Sequence, residues 1–227
     1  TIDDCQDIND SSQLGNRQSS IHNRQSAVPF PHRDFENLRI FEHPLIQRKL
    51  TRARDRLTPH EKFRRLLNEI AGLMTFEISR SFPTREIDVE TPLEKTTGHV
   101  LSKPVTLVPI LRAGIGMTDG ILALIPEARV GHVGIYRDEQ SLMPVEYYAK
   151  FPPDIADGPV LVIDPMLATG GSSVHAVSIL KARGCTDIKL ICLVCAPEGV
   201  KRMGDSHPDV IVYSAALDRE LNDRGYI

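Results

Sequence analysis

Cysteine is scarce in this 227-residue chain, with only Cys5, Cys185, Cys192 and Cys195. Four in so long a chain do not make a disulfide scaffold. Three of them stand in or beside an apolar stretch, where a cysteine packs as a small core residue. Cys192 and Cys195 form a C-x-x-C, but Ile188 to Cys195 reads as a strand, in which a separation of three sends the two sulfurs to opposite faces. No second C-x-x-C or histidine pair completes a zinc set. Core packing in a reducing, cytoplasmic compartment is therefore the expectation. No apolar run approaches the ~18 residues of a membrane span, and the polar N-terminus has no signal-like apolar region. An excess of positive charge is missing too: 27 Lys and Arg face 30 Asp and Glu, a net charge of −3. That balance argues against nonspecific binding to nucleic acid or a membrane surface. What is present is ordinary for a soluble globular protein, 41% hydrophobic and 25% charged residues, in a length that can bury a sizeable core.

Residues 1–28 hold sixteen Ser, Asn, Gln or Asp and seven apolar residues, and Asn-Arg-Gln-Ser occurs twice. Such a composition cannot offset its ordering entropy, so residues 1–37 are expected to be a polar, mobile arm ahead of a domain spanning 38–227. His43-Pro44-Leu45 opens a short helix. Thr58-Pro59-His60-Glu61 reads as a capping box with proline at the first helical position. Behind it Phe63, Leu66, Leu67, Ile70, Leu73, Met74 and Ile78 recur at helical spacing, predicting an amphipathic helix to about Ser81. From residue 105 apolar strands (105–110, 130–135, 160–163, 188–194, 210–213) alternate with helices, one of them capped by Gly184. This predicts an α/β fold with a mainly parallel sheet flanked by helices. Ligands in such sheets sit at the carboxyl ends of strands, where the turns 111–114 and 164–172 fall.

The strongest local signal is Val160-Leu-Val-Ile-Asp-Pro-Met-Leu-Ala-Thr-Gly-Gly-Ser172. A buried strand ends in an acid, and small residues then let backbone N–H groups approach an anion at a helix N-terminus. A carboxylate beside a phosphate cradle suits hydrogen bonding to two ribose hydroxyls. The segment is neither a Walker A loop nor a dinucleotide turn. Arg112 and Arg137 each follow directly on an apolar strand, where a guanidinium can grip phosphate in a bidentate manner. Residues 136–151, with Pro144, Tyr147 and Tyr148, read as an exposed, flexible β-arm, either a lid or an interface between subunits. His99, His132, His175 and His207 show no metal spacing.

The 160–172 segment resembles the phosphoribosyl pyrophosphate (PRPP) motif of the type I phosphoribosyltransferases, and Asp-Pro in place of paired acids is similar to the uracil phosphoribosyltransferase family. Val108-Pro-Ile-Leu-Arg-Ala-Gly114, Tyr136-Arg-Asp-Glu139, Pro144-Val-Glu-Tyr-Tyr148, Ala196-Pro-Glu-Gly199, His207-Pro-Asp209 and Gly225-Tyr-Ile227 agree, over about residues 40–227. The resemblance implies that Asp164 holds the ribose hydroxyls, and that Pro165, Met166, Leu167, Ala168, Thr169, Gly170, Gly171 and Ser172 form the PRPP loop. It implies that Arg112 and Arg137 meet the pyrophosphate as catalytic residues, and that Tyr226 and Ile227 begin the base-binding stretch. The family's further Pro- and Gly-rich base-binding segment has no counterpart before Ile227, which makes impaired uracil binding an expectation. The implied reaction joins uracil to PRPP, giving UMP and pyrophosphate in pyrimidine salvage. Mg²⁺ is expected to arrive with the pyrophosphate, with no protein cage, and no side-chain base for uracil stands out. A homodimer or tetramer, with GTP as effector in some members, is the family expectation. Alternatives are another phosphoribosyltransferase, acting on a purine or orotate, or a noncatalytic regulator binding PRPP or a nucleotide.

Overall fold

A computed structural model describes residues 31–137, 144–222, Gly225 and Ile227. In chain order the elements are β1 (Pro31–His32), β2 (Phe35–Ile40), α1 (Pro44–Arg54), α2 (His60–Ile78), β3 (Thr84–Glu90), β4 (Lys95–Leu101), β5 (Thr106–Leu111) and α3 (Ile115–Leu122). They continue with β6 (Arg129–Val130), β7 (His132–Arg137), β8 (Pro144–Lys150), β9 (Val160–Ile163), β10 (Met166–Leu167), α4 (Gly171–Lys181), β11 (Ile188–Cys195), α5 (Pro197–Ser206) and β12 (Ile211–Leu217). The main sheet runs β1-β2-β12-β11-β9-β5-β7-β8, with β10 on β11 and β6 on β5. Every pairing from β2 through β7 is parallel, and only β1 and β8 join antiparallel. The expected α/β sheet is therefore present, and no described helix is long and apolar enough to cross a membrane.

Alternation along the strands divides the core into two layers. On one face Val108, Ile110, Val160, Val162 and Leu190 pack with Ala176, Val177 and Leu180 of α4 and with Val200 and Met203 of α5. On the other, Leu107, Leu161, Ile163 and Ile191 pack with Leu67, Ile70 and Met74 of α2 and with Met117 and Ile121 of α3. β9 is wholly buried, which is why its four residues are all apolar and β-branched or Leu.

Some local readings shift. The folded part reaches back to Pro31: Phe35 and Leu38 lie on a strand held between β1 and β12, so the expected start near Leu38 falls inside β2. Residues 1–30 lie outside the described residues. The capping box does not form. Pro59 caps α2 with no side-chain hydrogen bond, and the Thr58 hydroxyl donates instead to the Arg52 carbonyl at 2.6 Å, closing the α1–α2 turn. His43 caps α1, its Nδ1 accepting from Leu45 N–H at 3.2 Å. Gly184 ends α4 at φ +85°, the left-handed conformation expected of it. The β3–β4 hairpin, a separate two-stranded sheet, was not anticipated, although Thr-Arg-Glu-Ile-Asp-Val-Glu alternates with a period of two.

The C-x-x-C geometry is corrected. Cys192 and Cys195 are both fully buried, as expected, but in the same core layer. Leu193 N–H and Val194 N–H both donate to the Pro165 carbonyl, at 3.0 and 3.2 Å. The register on either side is unchanged, with Ile163 opposite Ile191 and Met166 opposite Val194, but the shared acceptor interrupts the regular ladder between β9 and β10 and with it the alternation that a regular strand would have imposed.

Candidate active site

Two strand ends define the site. β9 stops at Ile163, hydrogen-bonded on one side to β5 and on the other to β11. Asp164 follows, its N–H donating to the Ile191 carbonyl at 3.1 Å. One carboxylate oxygen accepts from Met166 N–H at a long 3.4 Å. Burial pushes the Asp164 carboxyl up to about 6, the Met166 bond opposing it only weakly. An acid so poorly compensated is ready to accept hydrogen bonds from a polyol.

The loop after Asp164 is anchored by β10, with Met166 opposite Val194 and Leu167 opposite Cys195, and by Ala196 N–H donating to the Leu167 carbonyl at 2.9 Å. Gly170 then takes φ +76° and begins α4 with no side-chain cap. The first N–H groups of α4 are thus left to an outside acceptor, at the positive end of the helix. Thr169 and Ser172 are half-buried beside them, whereas Ser173 is buried. From the next helix, Gly199 fixes the loop at close range: a Cβ there would lie 2.4 Å from the Ala168 carbonyl oxygen and 2.9 Å from that of Leu167.

The second strand end is β5. Arg112 follows it, exposed, after a cis Leu111–Arg112 peptide bond. Gly114 makes this turn fit: a Cβ there would lie 2.3 Å from the Ile163 carbonyl oxygen and 2.8 Å from Ile110 N. The Arg112 turn is thereby pressed against the strand end that carries Asp164. Arg137 closes β7, the neighbour of β5; its side chain lies outside the described part. Tyr226 also lies outside it, while Ile227 is half-buried. The segment leading there is held by Arg54, whose guanidinium donates to Asp218 at 2.5 and 3.1 Å, and by Leu221 N–H donating to Glu198 Oε1 at 3.2 Å.

On the arm, Tyr147 of β8 covers Gly134 of β7, where any Cβ would strike its ring. His207 is buried with Nε2 3.1 Å from both the Val174 carbonyl and the Ser178 hydroxyl, a structural tie between α4 and α5. Sequence reasoning missed the roles of Gly199 and of the Glu198 contact. The Ala-Pro-Glu-Gly segment carries the signal, but it acts across the fold and not along the chain.

This arrangement can hold a phosphate at the start of α4, a ribose diol at Asp164 and a second anion at Arg112. Comparison with known proteins shows the family. The family model for uracil phosphoribosyltransferase matches residues 40–227. A uracil phosphoribosyltransferase of Halalkalibacterium halodurans is 57% identical over 189 residues, 83% of this chain and 90% of the relative. One from Bacillus cereus is 56% identical over 191 residues, 84% and 91% of the two chains. The solved structure of an Aquifex aeolicus protein superposes with a TM-score of 0.80 at 34% identity, covering 84% of this chain and 91% of that one. A hypoxanthine-guanine phosphoribosyltransferase of Bacillus anthracis, 11% identical with a TM-score of 0.50 over 70% of this chain and 80% of its own, shares the fold alone. On the family model and these identities, the chain belongs to the uracil phosphoribosyltransferase family.

Proposed function

We propose that the protein transfers the phosphoribosyl group of PRPP to uracil, giving UMP and pyrophosphate. The observation that carries this reading is the junction at the end of β9: a desolvated acid followed by an uncapped, glycine-led helix start, with the Arg112 turn packed against it. In the reaction the C1′–O bond to pyrophosphate breaks and its electron pair leaves with the diphosphate. Uracil N1 forms the new bond to C1′, and the N1 proton is released. Positive character gathers on the ribose and negative charge on the leaving group. Catalysis is then mainly positioning and electrostatic stabilisation. Asp164 orients the ribose through its hydroxyls, the turn from Ala168 to Ser172 holds the 5′-phosphate, and Arg112 and Arg137 receive the pyrophosphate. Tyr226 and Ile227 lie on the base side.

Mg²⁺ belongs to the substrate complex in this reading. Among the described residues no cluster of three His, Cys, Asp or Glu could hold a metal ion, and Asp164 offers a single hard carboxylate at the ribose position. A diphosphate-chelated ion fits that donor set, supplying charge neutralisation to the leaving group.

The test is UMP formation from uracil and Mg-PRPP on this chain, with PRPP binding followed in parallel by calorimetry. Turnover with uracil, and not with orotate or purines, is the expected result. PRPP binding without turnover on any base would favour a regulator. The homodimer or tetramer implied by the resemblance is read by light scattering of the same sample, with and without GTP.

A further inference from the structure

We infer that Arg202, on α5, is a ligand of the substrate's 5′-phosphate; the assignment rests on the transferase reading. The loop from Ala168 to Ser173 offers backbone N–H groups and the hydroxyls of Thr169, Ser172 and Ser173, but no cationic side chain. A phosphomonoester carries a charge of about −1.5 to −2 at neutral pH, and a helix N-terminus offsets only about +0.5 of it. Arg202 supplies what is missing. Its guanidinium lies over the Gly170–Gly171 turn: a Cβ on Gly171 would be 3.4 Å from one terminal nitrogen and 3.9 Å from the other, and a Cβ on Gly170 would be 3.5 Å from the Arg202 Cβ. The first of those nitrogens donates to the Thr169 carbonyl at a long 3.5 Å. The side chain is exposed and makes no ion pair with any described carboxylate, unlike its neighbour Lys201, which pairs with Asp205 at 2.7 Å. Its remaining donors are therefore available on the side where α4 begins, and a guanidinium fork matches phosphate oxygens in charge and shape.

The same position would let Arg202 act merely as a prop for the loop, through Thr169. Two variants separate the roles. Arg202→Gln keeps an N–H donor for the Thr169 carbonyl and loses the charge; Arg202→Lys keeps the charge and loses the fork. A phosphate ligand predicts that R202Q raises the KM for PRPP about tenfold with kcat within twofold of wild type, and that R202K recovers part of the loss. It also predicts that the KM of R202Q depends less steeply on salt than that of wild type, since one charge contact is gone. PRPP binding by calorimetry on the full chain should weaken by the same factor. An R202Q variant with wild-type KM and wild-type PRPP affinity overturns the assignment while leaving the transferase reading intact. Wild-type protein that neither binds PRPP nor forms UMP overturns the transferase reading, and this assignment with it.

Discussion

At Asp164 stability and function pull in opposite directions. Burial raises its folded-state value from 3.8 to about 6, so between those values the native protein holds a proton that the unfolded chain has lost. Stability therefore falls as pH rises through this window, and the cost is fully present above about pH 6. The shift corresponds to about 3 kcal/mol at most. Asp164→Asn should accordingly raise the Tm of the ligand-free protein at pH 7.5 by roughly 2–10 °C, the gap closing near pH 4. The same variant should weaken PRPP binding at least ~100-fold, since an amide has one acceptor oxygen and no charge to offer two hydroxyls. Thermal melts from pH 4 to 8 and calorimetry check both; a D164N protein melting below wild type at pH 7.5 would contradict the sign. Asp164 was legible in the sequence because strand, acid and glycine turn are contiguous. Gly199 and Arg202 were not, because they reach the loop from a helix some thirty residues on.

Among the elements, α5 does more than cover the sheet. Gly199, in its first turn, meets the loop between β10 and α4 so closely that any side chain must push loop and helix apart. Gly199→Ala should destabilise the protein by about 1–3 kcal/mol in urea unfolding and raise the KM for PRPP. Gly116→Ala on α3, whose Cβ would meet only Leu67 Cδ2 at 3.4 Å, should fold normally and serve as the comparison. Equal urea midpoints for the two variants would count against loop clamping by Gly199. Element existence was readable wherever periodicity was strong, as in α2, β9 and α4. It failed where a tertiary bond overrode the local pattern. Thr58 left its capping role for the Arg52 carbonyl, and the shared Pro165 acceptor turned Cys195 to the side of Cys192.

In the whole molecule the site lies where the winding of the sheet reverses. From β9 the chain passes through α4 to β11 and through α5 to β12, with both helices on one face. From β5 it passes through α3 to β7 with the helix on the other face, moving the opposite way. The crevice between β5 and β9 is thus the topological switch point, where an open α/β sheet takes its ligand. The alternation of strands and helices was legible, but the strand order that places this crevice was not, since pairing depends on contacts distant in sequence. A ligand gripped by both halves binds only the native state, so it should stabilise the fold by mass action, about 2.7 kcal/mol at one hundred times its Kd. Mg-PRPP at that excess should raise the Tm of wild type by roughly 5–10 °C, and the same concentration should shift D164N by no more than about 2 °C. An equal shift in the two proteins would place the ligand away from the end of β9, because no other described acid stands at the head of the loop that α4 and α5 enclose.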